Sequence, residues 1–185
     1  MMLNKPKPMR KFTILVLSLL IYSCNNDDDN TSIETNTIVD VAVNNQLASL
    51  VVAVTKADLA ATLSGPGPFT VLAPTNEAFA EFLSANNFNS LEDVPNDLLT
   101  QVLLNHVIAG TNYQSSDLAG STGYENTLAD GPNATKLSIY YDGTSGVYFN
   151  GGAEVVIPDV TASNGIVHVV NQVIDLPTIA TFATT

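Results

Sequence analysis

The stretch FTVLAPTNEAFAEF, Phe69 to Phe82, changes periodicity at its centre. Phe69-Thr70-Val71-Leu72 is apolar and β-branched, the composition of a buried strand. Pro74 cannot donate a ladder hydrogen bond, and Thr75 is a favourable helix N-cap. Beyond it Ala78, Phe79 and Phe82 recur at helical spacing, with Glu77 in the first turn where the helix dipole favours an anion. A strand handing directly to a capped helix can be a corner of the scaffold, and it is also how some hydrolases display a nucleophile.

The flanking sequence repeats this grammar. Thr37 can cap a helix carrying Ile38, Val41 and Ala42, and Leu47, Leu50, Val51 and Val54 continue at spacings of three and four. Leu59 and Leu63 extend the pattern until Gly65-Pro66-Gly67-Pro68 stops regular structure. Downstream, Asn86, Asn87 and Asn89 mark a loop. Pro95-Asn96-Asp97 then opens a helix with Leu98, Leu99, Val102, Leu103 and His106-Val107, closed by Gly110. The second half alternates short β-branched and aromatic runs with turns: 137–141, Asp142-Gly143, 147–149, Asn150-Gly151-Gly152, 155–157. A last run, Gly165 to Leu176, ends at Pro177. Helices early and strands late predict an α+β domain rather than a doubly wound sheet.

The chain of 185 residues opens with Lys5, Lys7, Arg10 and Lys11, followed by the apolar run Phe12–Ile21. That run is too short to span a bilayer and fits a signal-peptide core, so residues 1–23 are expected to be removed. Ile21-Tyr22-Ser23-Cys24 resembles the lipobox of bacterial lipoproteins. Cys24 has no partner cysteine; a free or buried thiol is the plain alternative, and its place at the end of an export signal favours lipidation. Two or more acyl chains hold a protein stably on a membrane, at roughly 0.8 kcal/mol per buried methylene. Residues 24–36, with Asn25-Asn26-Asp27-Asp28-Asp29-Asn30, read as an acidic flexible tether. The acidic run after the cysteine resembles the surface-export signal of lipoproteins in the Bacteroidetes lineage. It lacks the Gly and distal Glu of an EF-hand loop, so no metal is expected there. Residues 178–185 form a tail without an order signal.

Without its signal the chain keeps Lys56 and Lys136 against all 18 acids, a formal net charge of −16 instead of −12. Two cations cannot build a phosphate-binding face, so nucleic acid is excluded as a partner, and adhesion to anionic surfaces is opposed. The remaining 162 residues suit one domain burying roughly 68–70% of its unfolded surface.

Two segments resemble the signatures of the fasciclin domain. GPFTVLAPTNEAFAEF matches the first, and PDVTASNGIVHVVNQVIDLP, Pro158 to Pro177, matches the second, with Asn164-Gly165, His168 and Pro177 in place. LLTQVLLNHVIAG between them looks like the family's central helix. The resemblance covers roughly residues 35–177, which sets the expected domain at 37–177. It implies a wedge-shaped β-sandwich with helices packed on one side, and an extracellular adhesion role. Pro74 and Thr75 then read as the corner where a core strand meets a helix packing on the same core. Asn164-Gly165 reads as a source of the positive φ needed by a tight turn into the last strand. The resemblance also implies candidate ligand contacts. Integrin recognition in animal members is attributed to a Tyr-His pair on the central helix, where this chain has Asn105-His106, and to Asp-hydrophobic motifs, where it has Asp159-Val160. The missing Tyr removes a large, low-entropy contact.

Reactive chemistry is sparse. There are two histidines, no tryptophan and no thiol beyond Cys24; Gly-x-Ser-x-Gly, His-Glu-x-x-His and a phosphate loop are absent. His168 lies in Ile166-Val167-His168-Val169-Val170, a run apolar enough to be buried on both faces, which predicts a neutral structural histidine. Thr75 is accordingly read as a cap. The tyrosines of the predicted hairpin, Tyr140, Tyr141 and Tyr148, with Phe149, alternate, so some must face outward towards a sugar or protein partner or else cover the core. The sequons Asn30-Thr31-Ser32 and Asn133-Ala134-Thr135 would carry little meaning if, as the lipobox implies, the chain is bacterial. The expectation is a non-enzymatic lipoprotein without cofactor, anchored in the outer membrane and facing outward, that binds a cell-surface or matrix protein or a polysaccharide. The alternatives are a carrier of a small hydrophobic or signalling ligand and a hydrolase.

Overall fold

The structure, a computed structural model, describes residues 36–177. The signal segment, Cys24, all of the tether but Asn36, and the tail lie outside the described residues. Among the described residues no helix is long and apolar enough to cross a membrane.

The described residues open with three helices: α1 (Ile38–Asn44), α2 (Ala48–Lys56) and α3 (Ala60–Leu63). Thr37 opens α1 with a capping box, its own N–H donating to Asp40 Oδ2 at 2.8 Å. The helical tract breaks twice because Gln46 (φ 58°) and Asp58 (φ 55°) enter the left-handed region after α1 and α2. Strand β1 (Phe69–Pro74) then turns into α4 (Asn76–Ala85), and Thr75 Oγ1 accepts from Ala78 N–H at 3.1 Å. A 3-10 turn (Leu91–Asp93) leads to α5 (Asn96–Leu104) and β2 (Val107–Ala109). The remainder is α6 (Ser115–Leu118), β3 (Thr122–Asp130), β4 (Lys136–Asp142), β5 (Tyr148–Phe149), β6 (Ala153–Ala162) and β7 (Gly165–Val170).

All seven strands pair in chain order, and β7 returns to β1 to close the ring. β7 on β1 is the parallel pair, with Phe69 opposite Gly165 and Leu72 opposite His168; the other pairs are antiparallel. The expected sandwich is therefore two sheets sharing the long, bulged strands β3 and β6, which leaves no free edge. Parallel strands are covered on both faces, and β7 is buried at every residue. From β1 and β7, Val71, Ala73, Val167 and Val169 pack against the helices in one core, while Leu72 and Val170 join Ile108, Leu118, Ile139 and Phe149 in a second core inside the barrel.

Two sequence expectations change. His106-Val107 does not continue α5: Val107 pairs with Val71 in β2, Leu72 N–H donates to the His106 carbonyl, and Gly110 (φ 88°) closes a strand. Asn164-Gly165 supplies no positive φ. Gly165 is needed because a Cβ there would lie 2.3 Å from the Phe69 carbonyl oxygen and 3.0 Å from Ile38 Cδ1. Asn164 acts through its side chain, accepting from Ile38 N–H at 3.0 Å and donating to the Leu63 and Gly65 carbonyls, each at 2.8 Å.

Candidate functional site

The end of α5 holds the first pair of candidates. Asn105 and His106 are 1% and 2% exposed. His106 Nδ1–H donates to the Val102 carbonyl at 2.7 Å, one helical turn back, and Nε2 accepts from Ile174 N–H at 2.9 Å. Asn105 Nδ2 reaches the Ile174 and Asp175 carbonyls at 3.5 and 3.4 Å, and its Oδ1 accepts from Thr127 Oγ1 at 3.3 Å. Burial pushes the imidazole down to about 4, against a smaller upward pull from the Val102 bond, so it is neutral at ordinary pH. These two residues fasten the segment after β7 to α5 and β3. They offer no atom to a surface partner, which corrects their reading as ligand contacts.

The second cluster gathers around β7. His168 is buried on the inner side of the barrel wall. Its Nδ1 accepts from Asp159 N–H at 3.2 Å, which fixes the proton on Nε2, and Nε2–H donates to the Tyr113 carbonyl at 2.8 Å. Burial lowers its pKa, opposed by the Tyr113 bond and the nearby Asp159 carboxylate. The Nδ1 to Asp159 Oδ1 distance of 3.9 Å is thus a contact between a neutral ring and a carboxylate rather than an ion pair. Asp159 itself sits at φ 59° and is exposed. Its carboxylate accepts from Ser115 N–H at 2.7 Å and from Ser115 Oγ–H. Burial raises its pKa, but these two bonds outweigh that effect and the net shift is downward.

Serine, histidine and aspartate thus lie together without the geometry of an activated nucleophile. Ser115 Oγ donates to the carboxylate and has no imidazole partner, while both nitrogens of His168 are committed to backbone groups. Val160 is half-buried against the helix-side core, whereas Val156 and Ile157, on the same bulged stretch of β6, are exposed.

No large apolar cavity accompanies these groups among the cavities seen. The void beneath α1 and α2, lined by Ile38, Leu50, Val54 and His106, measures about 20 Å³, room for one water. A groove between α4 and residues 172–175, lined by Glu81, Phe82, Gln172 and Asp175, measures about 170 Å³. Ligand pockets usually hold several hundred cubic ångströms. Among the described residues no group of His, Cys, Asp and Glu could hold a metal ion.

Three features escaped sequence reasoning. Ser115 lies far from Asp159 in sequence, and nothing local points to the bond. Lys56 donates to three carbonyls, those of Leu91, Glu92 and Val94, at 2.6 to 2.9 Å, and so serves the 3-10 turn. Tyr124 is 73% exposed and lies opposite Tyr140 on the outer face of β3 and β4. The alternation Thr122, Tyr124, Asn126 was the available signal for it, blurred because the inward partners Gly123 and Glu125 are not apolar. Of the hairpin aromatics, Phe149 and Tyr141 face the inner core, while Tyr140 and Tyr148 face outward.

Residues 45–177 match the family model described as Fasciclin domain. The chain is similar to the Synechocystis protein sll1735, 38% identical over 138 residues that span 74% of this chain and 96% of that protein. It is 29% identical to pig transforming growth factor-beta-induced protein ig-h3 over 137 residues, 72% of this chain and 18% of that protein. Among solved structures, a domain pair from the insect cell adhesion molecule Fasciclin I aligns at 18% identity and a TM-score of 0.44, covering 81% of this chain and 50% of that one.

Proposed function

The chain belongs to the Fasciclin domain family, and from that membership we propose that it is a surface-displayed lipoprotein whose one fasciclin domain, residues 37–177, binds a protein or polysaccharide ligand without covalent chemistry. The carrying observation is that His106 and His168 spend all four ring nitrogens on backbone partners inside the fold. What remains for function is surface. Asp159, with the exposed Val156 and Ile157 beside it on β6, is the proposed protein-facing contact, and Val160 supports it from below. Cys24 carries the anchor, and residues 24–36 are the tether that holds the domain clear of the outer membrane.

Protease shaving of intact cells tests display, with release of the domain as the expected result. A Cys24→Ser variant is expected to move the protein from the membrane fraction to the soluble fraction. Deleting the gene is expected to lower attachment or aggregation of the cells. Unchanged attachment together with a domain protected from protease would refute the proposal. A small-ligand carrier is disfavoured because the apolar void holds about 20 Å³ and the larger groove, about 170 Å³, is half polar and carries Glu81 and Asp175. A hydrolase is disfavoured by the arrangement of Ser115.

A further inference from the structure

We infer that the outward face of β3, β4 and β5 is a platform for a neutral, hydroxyl-rich polysaccharide, with Tyr124 as its central contact. The inference rests on the reading of the domain as a binding module and adds the class of ligand and its place. Register assembles the face. Thr122, Tyr124 and Asn126 of β3 lie opposite Asp142, Tyr140 and Ser138 of β4, and Tyr148 of β5 lies opposite Asp142. The alternate positions, Ile139, Tyr141 and Phe149, turn to the inner core. Three of the five tyrosines beyond the signal segment therefore share one exposed face.

Each component suits a sugar. A phenol ring brings a broad, rigid apolar surface whose electron-rich face attracts the polarised C–H groups of a pyranose, and its hydroxyl keeps a polar end. Tyr124 offers that surface almost bare, braced by Tyr140 with centroids 5.2 Å apart and planes tilted by 53°. Hydrogen-bonding groups flank the rings. Ser138 Oγ donates to Asn126 Oδ1 at 3.1 Å, which orients the Asn126 amide with its N–H groups towards solvent. Asp142 Oδ1 is held by Thr144 N–H and Oγ–H at 2.9 and 2.7 Å, leaving Oδ2 as an acceptor for a hydroxyl.

Charge selects among ligands. Lys56 is spent on the 3-10 turn, and Lys136, next to Ser138 at the edge of this face, is held by the Leu128 carbonyl and the Asp130 carboxylate, so no uncompensated cation is on it to attract a sulfated or uronic polymer. Asp142 is the carboxylate among the seven residues, Glu154 of β6 lies beyond it opposite Tyr148, and the Asp130–Lys136 pair closes the other edge. Asp142 and Glu154 repel an anionic polymer, and the bare Tyr124 ring braced by Tyr140 supplies the face's broadest contact, which favours a neutral sugar.

The test uses the full chain in native affinity gels containing amylose, laminarin, galactomannan or arabinoxylan, with alginate and chondroitin sulfate as anionic counterparts. Retardation by at least one neutral polymer and by neither anionic one is expected. Tyr124→Ala should weaken binding at least tenfold, while Tyr124→Phe should stay within about threefold of the parent. Because the chain has no tryptophan and three of its six tyrosines lie on the platform, tyrosine emission should change on titration with the retarding polymer, and that change should shrink in Tyr124→Ala. No retardation by any neutral polymer, retardation indifferent to Tyr124→Ala, or a Tyr124-dependent dimer without glycan binding would each overturn the inference. If the purified protein ignores every neutral glycan while the deletion strain still loses attachment, the ligand class is wrong and the adhesion reading stands.

Discussion

Asn164 ties three segments together with a single amide: the start of α1, the end of α3 and the loop before β1. Truncating it leaves one backbone donor and two carbonyls without partners in part-buried positions, where each lost bond costs about 1 kcal/mol or more. Asn164→Ala is expected to lower stability by about 2–4 kcal/mol with an unchanged m-value in urea. Gly165→Ala should be at least as damaging, since the new methyl meets the rigid Phe69 carbonyl. His106 makes a separate prediction. Its pKa is lowered in the fold from 6.5 to about 4, so between those values the unfolded chain binds more protons than the native one. Stability is therefore full above pH 6.5 and falls as the pH drops towards 4, by up to about 3 kcal/mol at the lower limit. The lowered pKa of His168 acts in the same direction. His106→Gln, which can still donate and accept, should show a shallower loss across that interval in urea unfolding followed by circular dichroism.

Elements here are set by caps and by the chain's few cations. Thr75→Ala removes the cap of α4 and should cost about 1 kcal/mol, with Thr75→Ser restoring most of it. Lys56→Met keeps the aliphatic stem and removes the donor to three carbonyls, which should cost on the order of 2 kcal/mol and raise hydrogen exchange across residues 91–94. Both effects are readable by thermal unfolding. The same elements mark how far the sequence could be read. The β1–α4 corner was legible because its signals are local: β-branched residues, a proline, a cap and a helical stripe. The breaks after α1 and α2 were not, since Gln46 and Asp58 take left-handed φ without being glycine or asparagine. His106 looked helical because the apolar spacing of α5 runs on into β2, and only pairing with β1 decides otherwise. Ring closure, the Ser115–Asp159 bond and the bond from His106 to Ile174 join residues far apart in sequence, which no short window contains.

At the scale of the molecule, charge is the dominant unbalanced term. Over residues 36–177 the cations are Lys56 and Lys136, and both lie against internal acceptors. The acids therefore repel one another with little opposing field, a self-repulsion that penalises the compact state. Salt relieves it: the Debye length shortens from about 30 Å at 10 mM to about 8 Å at 150 mM. The melting temperature at pH 7.5 is expected to rise over that range, each kcal/mol gained moving it by about 3 °C for a domain of this size. Binding should behave differently. A neutral polysaccharide on the Tyr124 face displaces no counterions, so its affinity should be flat across the same salt range. A basic protein partner would be held by the acidic field and would weaken as salt rises. Measuring stability and affinity on one salt series thus separates the two partners: rising stability with flat affinity fits the tyrosine platform, whereas affinity that falls while stability rises would place the partner's recognition in charge and not in the rings of Tyr124 and Tyr140.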